Sequence, residues 1–260
     1  MELDPYHLAV RELNVRNYSQ GFSPDSLVIA RDGDLTIEYA PFDHIEIGAE
    51  LVLVGLTPGR TQAANALASL AADLKTNTPV ATALAAAKRT ASFSGSMRSS
   101  LLAMLDEIGV PAAFNRGAAS EFFAEGSRVH FTSALRYPVY VAGKNYSGGP
   151  DPLATPILRR MIETHLAEEA AALPEAVWIP LGGKAEAALL HLVNKGNLRR
   201  EQVLAGLPHP SGANAERIAY FLGRKERAAL SAKTNAVRID SAKARLVQQV
   251  ATLRAAETQT

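Results

Sequence analysis

Cysteine is missing from all 260 residues. Disulfides, thiolate zinc sites, iron–sulfur clusters and cysteine nucleophiles are therefore excluded. Long apolar runs are missing too: none approaches the ~18–20 residues of a membrane span, so no membrane partner is expected. The opening MELDPYHLAVREL has no basic-then-apolar leader, and a soluble, cytoplasmic protein is the expectation. Excess charge is also lacking, with 27 Lys and Arg against 26 Asp and Glu and a net charge of +1. That balance argues against a histone-like binder of nucleic acid, while leaving room for a local basic face. No metal or cofactor is expected. What remains is a chain with 47% hydrophobic residues, enough for the core of one large domain with extensions.

The chain is organised around Leu51–Thr61, LVLVGLTPGRT. Four apolar residues running into Gly55 predict a strand buried on both faces of a parallel sheet. Gly55, Pro58 and Gly59 then break the pattern ahead of an alanine-rich helical stretch. A strand, a glycine turn and a helix put that turn at the carboxyl edge of the sheet, where open α/β folds bind ligands. The turn's N–H groups would suit an anion or a polar ring edge. A plain strand–turn–helix connection fits the same residues equally well.

Residues 1–50 read as an extension packed on the core, with a short helix near Tyr6–Val15 and a hairpin formed by Leu27–Arg31 and Leu35–Tyr39. Two helices are expected between Thr61 and Lys88, broken near Pro79. Ser92–Ser96 reads as a loop, and Ser99 or Ser100 as the cap of a helix with Leu101, Leu102, Leu105 and Ile108 on one face. Arg128–Leu135 and Val177–Leu181 are the next core strands. Helices are expected at Pro156–Ala172, Lys184–Leu192 and Ala215–Leu222. KNYSGGPDP (Lys144–Pro152) and LPHPSGAN (Leu207–Asn214) are loops, the first at a functional edge. The alternation predicts a three-layer α/β/α domain over residues 51–222, with a central, mostly parallel sheet of about four strands. Residues 223–260 form a basic helical tail, expected to be solvated or frayed.

Four blocks in this order resemble the uracil-DNA glycosylase superfamily. GLTPG (Gly55–Gly59) resembles its first motif. SFSGSMRSSLLAMLDEIGV (Ser92–Val110) resembles the aromatic-and-glycine loop and leucine-rich helix of the thermophilic-type branch. FTSALR (Phe131–Arg136) falls where that family ends a strand with its base-reading residue, and HPSGAN (His209–Asn214) resembles its closing loop. With KNYSGGPDP and VWIPLGG in family order, about two thirds of the chain is covered.

The resemblance implies a hydrolase that flips a modified or deaminated base out of DNA and cleaves its N-glycosidic bond. Phe93 offers an aromatic face for the base. His209, as a neutral imidazole, offers a donor for charge developing on a pyrimidine oxygen. Gly55, Leu56 and Ser133 would complete the base pocket. Ser211 and the N–H groups beyond it would grip a phosphate, and Arg60 and Lys144 are candidate phosphate contacts. Each has a plainer reading: Phe93 as a loop anchor, His209 as a structural residue, Arg60 and Lys144 as solvated cations.

Departures from the family pattern shape the expectation. Where many branches place a water-activating acid or amide, this chain has Leu56 and Thr57; a Thr hydroxyl holds a water but is a poor base. The base-reading Asn is replaced by Ser133, whose one hydroxyl cannot make a paired amide contact. The wedge position is Ala213, beside the polar Asn214, which predicts a preference for single-stranded or mismatched DNA. A catalytically silent nucleic-acid binder of the same fold is the alternative. GLTPGRT as a nucleotide phosphate loop fails on spacing and on the missing Lys.

Overall fold

The computed structural model describes residues 3–92, 96–124, 126 and 128–257. The fold is α/β and contains two sheets. The amino-terminal region supplies two short helices, α1 (His7–Arg11) and α2 (Val15–Ser19), in place of one helix near Tyr6–Val15. It then forms the hairpin β1 (Val28–Asp32) and β2 (Leu35–Glu38), reversed at Gly33, whose φ of 55° a glycine adopts without a Cβ clash.

The central strand β3 (Leu51–Gly55) is buried along its whole length. It leads into α3 (Arg60–Lys75) and α4 (Val80–Ala91), separated near Pro79 as the sequence predicts. Next, α5 (Ser96–Glu107) begins earlier than the expected Ser99 or Ser100 cap. Gly109, at φ 77°, turns the chain into α6 (Val110–Ala113). The strands β4 (Val129–Ser133), β5 (Val139–Val141) and β6 (Lys144–Asn145) follow. The Pro156–Ala172 helix is present in three parts: α7 (Pro156–Met161), a wider i→i+5 turn at Ile162–Leu166, and α8 (Ala167–Ala172). Then come β7 (Val177–Pro180), α9 (Gly183–Asn194), α10 (Ala215–Phe221) and α11 (Ala236–Glu257).

The parallel sheet has the order β4-β3-β7. Val203–Leu207 extends it beyond β7 through parallel bridges to Trp178 and Leu181, so a fourth segment is present as bridges rather than as a full strand. Alternation along β3 sends Val52 and Val54 into one core and Leu51 and Leu53 into another. The first core takes α3, α4 and α9; the second takes α5, α6, α10 and α11. This is the three-layer arrangement that buried parallel strands require.

Two expectations change. The amino-terminal hairpin is not merely packed on the domain: β2 pairs with β5 to build a second, antiparallel sheet of order β1-β2-β5-β6. The tail is not merely solvated either. Ala242, Leu246 and Val250 of α11 are buried, with Ile239 packed beside them, a spacing of three and four that makes one apolar stripe. Lys243 clamps that stripe down, donating to Glu107 Oε1 at 2.5 Å and to the Phe221 carbonyl at 2.8 Å. The helix therefore closes the second core. No helix among the described residues is long and apolar enough to cross a membrane.

Leu246 is fully buried in this stripe. Leu246→Ala is expected to lower unfolding free energy by roughly 2–5 kcal/mol in chemical denaturation, as for other large-to-small core changes. A loss under about 0.5 kcal/mol, the scale of surface substitutions, would mean that the tail is not docked.

Candidate functional site

The carboxyl ends of β3 and β4 lie side by side, with Gly55 in register with Ser133. The Gly55 and Leu56 carbonyls accept the N–H groups of Ala134 and Leu135, which fixes the two strand ends together. Above this edge opens a cavity of about 710 Å³. Gly55, Leu56, Thr57, Ser133, His209, Ser211, Ala213 and Asn214 all line it, although they are spread over 160 positions of sequence. This is the convergence expected where strand-end loops share one edge. Phe93 lies outside the described residues.

His209 sits at the start of the HPSG turn against Gly182. That glycine has φ 91°, and an added Cβ would lie 3.0 Å from the His209 Cβ, so any side chain there would displace the histidine. Ser211 donates its N–H to His209 Nδ1 at 3.2 Å. A neutral ring that accepts at Nδ1 carries its proton on Nε2, leaving that nitrogen as a donor. Burial holds the His209 pKa below the ordinary imidazole value, so the ring is neutral near pH 7.

Several candidates have other work. Thr57 lines the cavity, but its hydroxyl donates to the Tyr137 carbonyl at 3.1 Å and accepts the Val139 N–H at 3.2 Å. It clamps the turn to β5, which corrects its assignment as a water-holding catalytic residue. Arg60 is also corrected. It does not line the cavity; it donates to Glu38 at 3.0 Å and Ser23 at 2.5 Å, and its guanidinium lies 3.6 Å from the Tyr140 ring centre. It joins α3 to the antiparallel sheet and is not available to phosphate. Lys144 is exposed on β6 beside the cavity, while its neighbours Asn145, Tyr146 and Ser147 line it. The turn's N–H groups are partly spoken for: Gly59 donates to Gln62 Oε1 and Arg60 to Asn145 Oδ1.

The cavity also contains residues that the sequence pattern missed. Phe42, Phe131 and Tyr146 supply aromatic wall, and Phe42 comes from the amino-terminal region. A lone Phe before the first core strand carries no periodic signal, so only the antiparallel sheet reveals its place. The start of α9, Gly183 to Ala185, also lines the cavity and turns the positive end of a 12-residue helix toward it. Lys184 there is paired with Asp151 at 2.5 Å. Among the described residues, no carboxylate lines the cavity.

Behind the cavity lies a buried charge network. Arg136, which lines the cavity, donates to Glu169 Oε1 through Nε at 3.1 Å and to the His165 carbonyl at 3.0 Å, and it pairs with Glu168 at 3.0 Å. Glu169 also faces His130 at 3.4 Å and Lys88 at 3.9 Å. Lys88 donates to the His44 carbonyl at 2.6 Å. Burial raises the Glu169 pKa, but the charges of Lys88 and Arg136 and the facing His130 ring outweigh it and hold the carboxyl well below its usual range. Burial, assisted by the Lys88 charge, pushes His130 down to about 4.

The fold defines an α/β protein with a cavity at the carboxyl end of a parallel sheet. No protein-family model matches the chain, and no solved structure matches it. Over 222 residues it is 35% identical to the Bacillus subtilis (strain 168) protein YoxB, described as uncharacterized; the match covers 84% of this chain and 87% of YoxB. The chain belongs to the YoxB family.

The network fixes a pH response. An unfolded His130 takes up a proton near pH 6.5, whereas the folded one does so only near 4. Acidification across that window therefore favours the unfolded chain. The contribution of Glu169, present above the unfolded carboxyl pKa, is lost below it. Thermal stability is expected to fall steadily from pH 7 to pH 4, and Glu169→Gln is expected to cost about 3–5 kcal/mol at pH 7. Unchanged melting across this range would contradict the network.

Proposed function

We propose that the protein is a DNA glycosylase-like hydrolase: it holds a flipped base in the 710 Å³ cavity and cleaves its N-glycosidic bond. The observation that carries this reading is His209. It is neutral, has its proton on Nε2, and lines a cavity with aromatic wall at the carboxyl edge of the sheet. In the proposed step the bond between the base nitrogen and the sugar C1′ breaks with its electron pair going to the base. Negative charge then builds on a pyrimidine oxygen, where the Nε2–H donates and stabilises it. Water adds to C1′, and the proton it loses passes through solvent to the departing base anion. The α9 amino terminus adds a positive potential on the same side. Leu56 and the aromatic rings would cover the base faces, and Ser133 would offer one hydroxyl to its edge. Ser211, Ala213 and Asn214 at the rim would meet the neighbouring backbone.

Leu56 and Thr57 in the first turn, with no carboxylate among the described lining residues, support a second reading, a silent nucleic-acid binder of the same fold. With Leu56 and Thr57 where a water-activating acid or amide would stand, the proposed chemistry rests mainly on charge stabilisation, so a slow enzyme is expected. A shifted base specificity accompanies Ser133, which cannot pair twice with uracil. Single-stranded or mismatched DNA is the favoured substrate, because Ala213 cannot fill the gap left in a duplex.

Alkali-labile abasic sites, scored on labelled oligonucleotides bearing uracil, hypoxanthine or hydroxymethyluracil, test the reading. Product from one modified base and none from the normal strand is expected, with His209→Ala slower by about 10²–10³-fold in single turnover. Binding without product supports the silent binder. Equal rates for wild type and His209→Ala would remove the histidine from the chemistry.

A further inference from the structure

A second concavity begins where the first ends. An open groove of about 700 Å³ shares Gly182, Gly183, His209 and Asn214 with the base cavity and continues over α11. Arg217, Lys233, Arg238 and Arg245 line it, against one carboxylate, Glu186, among the described residues. In a chain whose net charge is +1, that is a local concentration of positive charge. None of the four makes an ion pair among the described residues. Arg217 donates to Asn214 Oδ1 and the Lys233 carbonyl, Arg245 donates to the Ala205 carbonyl, and Lys233 and Arg238 are exposed with no side-chain bond among those residues.

The arrangement is built, because α11 sorts its faces. Ala242, Leu246 and Val250 go into the core, while Arg238, Ser241 and Arg245 follow at the same three-and-four spacing along the groove. Docking of the apolar stripe therefore aims the cationic one. At 1.5 Å per residue, Arg238 and Arg245 are separated by roughly 10 Å along the helix, which lets them meet different phosphates of one strand.

We infer that this groove is a track for the sugar–phosphate backbone of a single nucleic-acid strand whose base enters the adjoining cavity. The inference rests on the nucleic-acid reading proposed above and adds a role for the carboxyl-terminal helix. Two observations select this occupant: the charge lines a concavity, with Arg238 and Arg245 on one face of α11, and the groove opens directly onto His209 and Asn214. A strand held there carries its phosphates past Lys233 and Arg238 while one nucleotide turns inward. Grooves that track single strands combine positive charge along the backbone with a place for the base.

The test is the salt dependence of binding to a labelled single-stranded oligonucleotide, read by fluorescence anisotropy. Removing one cation that neutralises a phosphate should reduce the slope of log K against log salt by about 0.7. Lys233→Gln/Arg238→Gln is expected to reduce it by about 1.4 with an unchanged melting temperature. Arg11→Gln/Arg16→Gln removes the same charge from α1 and α2 and is expected to leave the slope alone. An unchanged slope in the tail variant, with tight wild-type binding, would overturn the groove and leave the base cavity standing. Equal reductions in both variants would also overturn it, since charge alone would then be acting. Polyglutamate bound with the oligonucleotide's slope would replace nucleic acid by an acidic protein and overturn the inference. No oligonucleotide binding at low salt would overturn the groove and the proposed function together. A retained slope effect without abasic product would support the groove and remove only the chemistry.

Discussion

Glu169 is fully buried, and the elements behind the cavity meet at its charge. Its partners come from separate elements: Lys88 from α4, His130 from β4 and Arg136 from just beyond β4. A buried carboxylate is costly unless opposite charges and hydrogen bonds surround it, so displacing any of these elements would leave a buried charge without its partner. The wide turn at Ile162–Leu166 helps, because it brings the His165 carbonyl to the same guanidinium. Arg136 is thereby fixed at the cavity wall with its charge already balanced. It shapes the wall, and the uncompensated positive potential comes from the α9 amino terminus and the groove beyond His209.

Several small devices place the histidine. Val203–Leu207 joins the sheet beside β7 and delivers the chain to Pro208 and His209 at the sheet's carboxyl edge. Gly182 leaves no Cβ in the way, and the Ser211 N–H sets the ring's tautomer. On the opposite wall, the Thr57 clamp and the Arg60–Glu38 pair hold the first turn against the antiparallel sheet. Residues that suggest chemistry by type, a Thr and an Arg in a glycine loop, are thus spent on holding the site open. The groove over α11 extends the same logic, since helix docking and charge placement follow from one periodic pattern.

Much of the parallel half of this molecule was legible in the sequence. The run LVLVG reads as a buried strand because both faces are covered, and the helices after it carry ordinary three-and-four spacing. The loops around Gly55, Ser133 and His209 could be assigned to one edge by topology alone. The antiparallel sheet was not legible as a sheet, because β5 and β6 are three and two residues long and their pairing partner lies a hundred positions away. Phe42 was hidden for the same reason. The roles of Thr57 and Arg60 were misread because hydrogen-bond partners distant in sequence leave no local trace. The tail was read from its overall polarity, which concealed the stripe of Ile239, Ala242, Leu246 and Val250.

In the proposed mechanism one cavity binds a pyrimidine base, with His209 as a neutral donor. Long-range 15N spectra of the histidine ring, recorded while free uracil is titrated into the folded protein, test it most directly. The account expects the Nε2–H tautomer at pH 7, a titration midpoint below the 6.5 of an ordinary imidazole, and shifts at Nε2 together with the amides of Gly55 and Ser133 as the base binds. An Nδ1–H tautomer, or saturation with uracil that leaves all three sites unmoved, would contradict it.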